Sequence, residues 1–310
     1  AAGEAERVGA RERFLALSER PDQASRVVFV SAAGATVRYI DPYTGEWRPG
    51  GVRGEAFFRL LEETHRGLIT DRIAGHEVGR RILDACAVFL VALVATGLYL
   101  RWPRRTSNWR AWFVIDRRLR GRGFLYSLHA VVGTYVLPLL LLSALTGLYF
   151  AYDWYYEGLR RMAGMPVAVE SQLGPFQEPD IEAAWNVFER ETAARPVGGI
   201  VIRMPLKHGE ALRIRYLDAD APRPSANNTI KIDPASSRLL SHERYADQSA
   251  GGRLLISMVA IHRGEYFGVP GMVLLMLSSL ALPLFVVTGW MMYLERRRVE
   301  ERARKRQHQQ

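Results

Sequence analysis

Three stretches of this chain carry no Asp, Glu, Lys or Arg, and they limit its possible folds more than any other feature. They are residues 85–100 (ACAVFLVALVATGLYL), 123–152 (GFLYSLHAVVGTYVLPLLLLSALTGLYFAY) and 266–294 (YFGVPGMVLLMLSSLALPLFVVTGWMMYL). A helix needs about 20 apolar residues to cross about 30 Å of hydrocarbon. The second and third runs pass on length alone. The first passes once Ile82, Leu83 and Asp84 are added, with the aspartate near an interface. The sequence therefore predicts an α-helical membrane protein with transmembrane helices at 82–102, 123–152 and 266–295.

Arginine and lysine set the orientation. The loop RWPRRTSNWRAWFVIDRRLRGR holds eight arginines and one acid, Asp116, and the tail ERRRVEERARKRQHQQ holds seven basic residues against three acids. Three spans put both segments on one side, and the positive-inside rule makes that side cytoplasmic. The loop 103–122 and the tail 296–310 are then cytoplasmic, and 1–81 and 153–265 lie outside. The net charge of +10 reads as a topology signal. No nucleic-acid reader module accompanies it, so the partner implied is membrane lipid, with no nucleic acid.

Cys86 is the single cysteine. A disulfide within the chain is excluded, and so is a Cys-x-x-Cys-His haem attachment site. Cys86 reads as a small packing residue. The opening AAGEAERVGARERF lacks the apolar core of a signal peptide.

The chain repeats itself. YIDPYTGEWRPG and KIDPASSRLLS each read as a strand ending in Ile-Asp-Pro, a turn and a second short strand. The first and last spans end alike, in ATGLYLRWPRR and VTGWMMYLERRR. Asp41 to Thr96 is 55 residues, and so is Asp233 to Thr288. The tripeptide His-Arg-Gly occurs in both halves, at His65 and His262, five residues out of step with this frame. These signals predict an internal parallel duplication about an axis along the membrane normal. The second half opens with a span containing His129. The first half lacks its counterpart, so the chain is expected to be a fragment or processed, with four spans in the full-length protein.

Histidine in or beside a span is costly and marks function, and neutral imidazole is the commonest metal ligand. His65 and His262 each precede a span that runs inward, near the outer face. His129 lies near the inner face. Two histidines from equivalent helices fit axial ligation of a b-type haem. Arg66 and Arg263 would pair with its propionates. Gly67, Gly75, Gly79, Gly264, Gly268, Gly271 and Gly133 would let a flat porphyrin approach the backbone, although glycine also serves helix packing. An interfacial histidine can equally bond headgroups or backbone. His76, His208, His242 and His308 read as surface residues, with His76 a reserve ligand. The Thr-Gly endings read as packing and an aromatic belt.

Outside the spans, EPDIEAAWNVFERETAA places Ile181, Ala184, Trp185 and Phe188 on one helical face. GGIVIRMP, ALRIRYLD and NTIKIDP follow as strands of a small α+β unit over 178–250. Residues 26–49 supply a separate hairpin, and an amphipathic helix is expected with it in the extracytoplasmic segment 1–81. Asp153, Trp154, Tyr155 and Tyr156 emerge at the outer face and read as an interfacial belt, with the lining of a substrate surface as the alternative.

THRGLI, SLHAVVGTYVLPLLLLSALTGLY and IHRGEYFGVPG, with the two Ile-Asp-Pro strands, resemble the PepSY-associated transmembrane family, which includes ferric-siderophore reductases of the bacterial inner membrane. The resemblance covers nearly the whole chain. It implies PepSY-like extracytoplasmic α+β domains, two haem b groups in a four-span protein, and electrons passed outward to a ferric siderophore. It maps His65, His129 and His262 onto the family's histidine positions, and places the partner of His129 on a first span that this chain lacks. No Rossmann or P-loop pattern is present, so a quinol or flavoprotein is the expected electron donor. Two other readings stay open: a non-redox PepSY module that binds or regulates proteins, and a transporter subunit. Neither the siderophore nor the oligomeric state is legible.

Overall fold

The computed structural model describes residues 11–18, 22–31, 34–48, 53–67, 76–102, 110–165, 173, 177–206 and 209–307. The chain divides into two compact units, one of residues 1–59 and 157–257, the other of residues 60–156 and 258–310.

The first unit is built on an antiparallel sheet of eight strands. In chain order they are β1 (Arg11–Ala16), β2 (Ser25–Ser31), β3 (Gly34–Ile40), β4 (Trp47–Arg48), β5 (Val197–Arg203), β6 (Leu212–Asp218), β7 (Asn228–Ile232) and β8 (Leu239–Glu243). The spatial order is β4-β3-β2-β1-β5-β6-β7-β8. Two four-stranded meanders thus meet at β1 and β5, where Phe14 faces Arg203 and Leu15 faces Ile202. The sequence reading expected a hairpin apart from the α+β unit. It missed β1, whose RERFLA has no clean alternation, and with it the strand that joins the two into one sheet.

Alternation does the rest. Leu212, Ile214 and Tyr216 of β6 point one way and are buried, while Arg213 and Arg215 point the other. A helix at Ile181–Thr192 lays Ala184, Val187 and Phe188 on the apolar face, against Ile202, Leu212, Ile214, Tyr216, Ile230 and Ile232. Asp180 caps it by accepting from the Ala183 N–H at 3.0 Å. Trp185 is packed against this core, whereas Ile181, in the first turn, is exposed.

The two Ile-Asp-Pro turns share one hydrogen-bond pattern. Asp41 N–H donates to Glu46 O, Gly45 N–H to Asp41 O, and Tyr43 N–H to the Asp41 carboxylate. Asp233 N–H donates to Arg238 O, Ser237 N–H to Asp233 O, and Ala235 N–H to the Asp233 carboxylate. Gly45 and Ser237 occupy the same left-handed position, with φ of 71° and 52°. The same Ile-Asp-Pro sequence thus closes the same turn at both places.

The second unit is helical. Helices long and apolar enough to cross a membrane cover Val78–Arg101, Gly121–Ala151 and Glu265–Gln307. The chain is a membrane protein: exposed side chains such as Phe89, Leu93, Val286 and Trp290 need lipid around them, and helices satisfy their backbone internally. In chain order the helices named below are α1 (Glu55–Gly67), α2 (His76–Arg101), α3 (Gly121–Ala151), α4 (Met258–His262) and α5 (Gly268–Gln307). Helix α3 packs against both α2 and α5. Helix α5 runs beyond its apolar stretch into the basic tail, where Arg296 and Glu300 pair at 2.8 Å one turn apart. Cys86 is exposed on α2 instead of packed.

Candidate functional site

The site is built where α4 packs on α3 and the end of α1 comes up to α4. His65 lies near the end of α1 and is exposed. His262 ends α4 and is half-buried. Their ring centroids are 6.2 Å apart and their planes are inclined by 33°. On α3, Thr146 and Phe150 stand one turn apart and so share a face. The Thr146 hydroxyl lies 2.8 Å from His262 Nδ1, and the Phe150 ring meets the imidazole edge-on at 5.6 Å.

Burial lowers the His262 pKa below the ordinary histidine value, and the neighbouring His65 lowers it further, against a smaller opposing pull from the Ser143 carbonyl. A depressed pKa keeps the ring neutral at physiological pH, the form that ligates metals.

A second arrangement repeats this at the other end of α3. His129 is half-buried, its Nδ1 lies 2.7 Å from the Thr288 hydroxyl of α5, and its ring sits 4.9 Å from that of Phe285. Each histidine is thus faced by one threonine and one phenylalanine from the other long helix. The crossed pairs, His129 with Thr288 and Thr146 with His262, fix α3 and α5 as antiparallel. One turn from His129, a cleft of about 610 Å³ opens between Arg122, Gly123, Tyr126, Met292, Tyr293 and Arg296.

Among the described residues no three His, Cys, Asp or Glu side chains gather to hold a bare metal ion. A haem needs no such cluster, because its porphyrin supplies four ligands and the protein only the axial ones. Two imidazoles each bonded at about 2 Å to one metal would have ring centroids about 6 Å apart, so the His65–His262 donor pair fits a haem. His129 supplies one imidazole, and no second histidine ring stacks on it among the described residues.

The remaining predicted residues are placed as follows. Arg66 is exposed and paired with Glu62 at 3.2 Å, and Arg263 is exposed and paired with Glu265 at 2.8 Å. Gly264 and Gly271 serve a different purpose from the one expected. Gly264 has φ of 79°, and a Cβ there would lie 2.7 Å from the Gly271 backbone. They let the chain turn tightly from α4 into α5. Gly133 has open space where a Cβ would project. His208, His308 and Gly75 lie outside the described residues, as does the side chain of His76. His242 differs from its surface reading. It is held on both ring nitrogens, by Tyr216 at 2.7 Å and Glu191 at 2.9 Å.

Sequence reasoning missed Thr146 and Thr288. The signal was present in the recurring Thr-Gly near the span ends, which packing alone accounted for.

The family described as the PepSY-associated TM region matches residues 2–296. No curated protein matches the chain.

Proposed function

The chain belongs to the PepSY-associated TM family, and from that premise we propose that it is a haem-b electron-transfer protein of the bacterial inner membrane that reduces ferric siderophores on the periplasmic side. The observation that carries this reading is the 6.2 Å approach of the His65 and His262 rings, from the two His-Arg-Gly copies. A b-type haem held between them would supply one-electron transfer near the outer face. The chain's own part is positional. Thr146 anchors His262 through Nδ1, Phe150 walls the ring, and the glycine contact between Gly264 and Gly271 sets where α4 delivers it.

His129 would serve a second haem near the cytoplasmic face. The adjoining cleft, with Arg122 and Arg296 among apolar and aromatic side chains, suits a flat cofactor with anionic groups. Two haems near opposite faces would divide the roughly 30 Å of hydrocarbon into shorter steps, with a quinol or flavoprotein as donor. One-electron reduction weakens the hold of hard oxygen donors on ferric iron, which releases the metal. Arg66 and Arg263 would exchange their carboxylate partners for haem propionates.

The test is the visible absorption spectrum of the purified protein. A sharp reduced α-band, depleted alike by His65→Ala and His262→Ala, is expected. A protein purified without haem, and taking up none when it is added, contradicts the proposal.

A further inference from the structure

We propose that Thr146 and Thr288 are positioning residues that hold His262 and His129 with the proton on Nδ1 and the lone pair of Nε2 presented to a ligand. The inference rests on the haem reading only for what Nε2 would bind; the tautomer is argued from the acceptors around each threonine.

A threonine hydroxyl has one proton to give. The Thr146 hydroxyl donates it to the Leu142 carbonyl at 2.7 Å, one turn back on α3. The Thr288 hydroxyl donates to the Leu284 carbonyl, also at 2.7 Å, on α5. Each hydroxyl also has a second carbonyl within reach, Ser143 O at 3.1 Å for Thr146 and Phe285 O at 3.4 Å for Thr288, so both protons have carbonyl acceptors on their own helix. With the protons on those carbonyls, each hydroxyl oxygen accepts from the imidazole 2.8 or 2.7 Å away, and each Nδ1 carries a hydrogen. A neutral imidazole protonated on Nδ1 has a bare Nε2. That is the state in which a ligating histidine is fixed by its outer partner.

The arrangement is reciprocal. Helix α3 carries a histidine at one end and a threonine at the other, and α5 with its leading turn carries the converse. Thr96 of α2 supplies an internal control. Its hydroxyl makes the same back-bond, to Ala92 O at 2.9 Å, but meets no imidazole among the described residues.

The experiment is ¹⁵N NMR of histidine-labelled full chain in lipid nanodiscs without added haem, with signals assigned by His262→Gln and His129→Gln. Wild type is expected to show both rings protonated on Nδ1. Thr288→Val should shift His129 toward the Nε2-protonated form and leave His262 alone. Thr146→Val should shift His262 alone. Thr288→Ser and Thr146→Ser should restore the wild-type signals, and Thr96→Val should move neither. Wild-type rings protonated on Nε2, or valine variants with unchanged tautomers, overturn the inference. In a second arm, haem affinity measured by absorbance should fall about 10- to 100-fold in the valine variants and recover with serine. Unchanged affinity overturns the ligand-presenting role. If no variant takes haem while the tautomers behave as expected, the haem reading fails and the threonines' control of the tautomers stands.

Discussion

His242 of the sheet unit and His262 of the helical unit are both largely covered, and they differ in how many ring nitrogens are spent. His242 accepts or donates at both, bridging Tyr216 and Glu191. His262 and His129 each have Nδ1 against a threonine hydroxyl, and no side chain bonds their Nε2 among the described residues. A histidine with both nitrogens engaged is a strut. One held by a single nitrogen is aimed. On the proposed reading, burial or depth in the membrane does not set a ligand apart from a strut; an unspent nitrogen does.

The comparison breaks most readily through the rings themselves. His262→Ala is expected to abolish the outer haem's absorbance, whereas His242→Ala leaves it at wild-type intensity per folded protein. Equal losses would erase the distinction.

Core disruption sharpens it next. Ile214 is 1 % exposed at the centre of the sheet core, so Ile214→Ala should cost about 2–5 kcal/mol in denaturant unfolding of the sheet unit. The spectrum should stay as it was. The strut comes third. His242→Ala removes one partner of the hydroxyl of Tyr216, a residue 2 % exposed, and leaves it Asn228, for about 1 kcal/mol in the same assay.

The last effect, of similar size, is electrostatic and depends on pH. Burial alone would raise the Glu210 carboxyl, but hydrogen bonds from Arg13 and the Leu206 N–H, with the charges of Arg13 and Arg203, bring it down to about 2 from 4.5. Because the folded value lies below the unfolded one, its stabilisation is complete above pH 4.5 and is lost as pH falls toward 2. Partial exposure limits it to about 1–2 kcal/mol. Glu210→Gln should remove that much at pH 7 and flatten the acid limb, without touching the haem band.

The spans were legible because hydropathy and arginine placement are one-dimensional signals, and both Ile-Asp-Pro turns because proline and small polar residues dictate them. The approach of His65 to His262 was legible through the repeat. Strand β1 was not, since Arg-Glu-Arg-Phe-Leu-Ala acquires its role only from β2 and β5 on either side. The partners of His242 come from β6 and the helix at Ile181–Thr192, far apart in sequence. Thr146 lies 116 residues from His262 and Thr288 lies 159 from His129; only the antiparallel packing of α3 and α5 brings them together.

The most direct test of the central claim is low-temperature electron paramagnetic resonance of the oxidised, purified protein. The account predicts a low-spin ferric signal from two axial imidazoles that disappears in His65→Ala and in His262→Ala and persists in His242→Ala. A signal that survives loss of either His65 or His262, or no ferric haem signal from haem-supplemented protein, would contradict it.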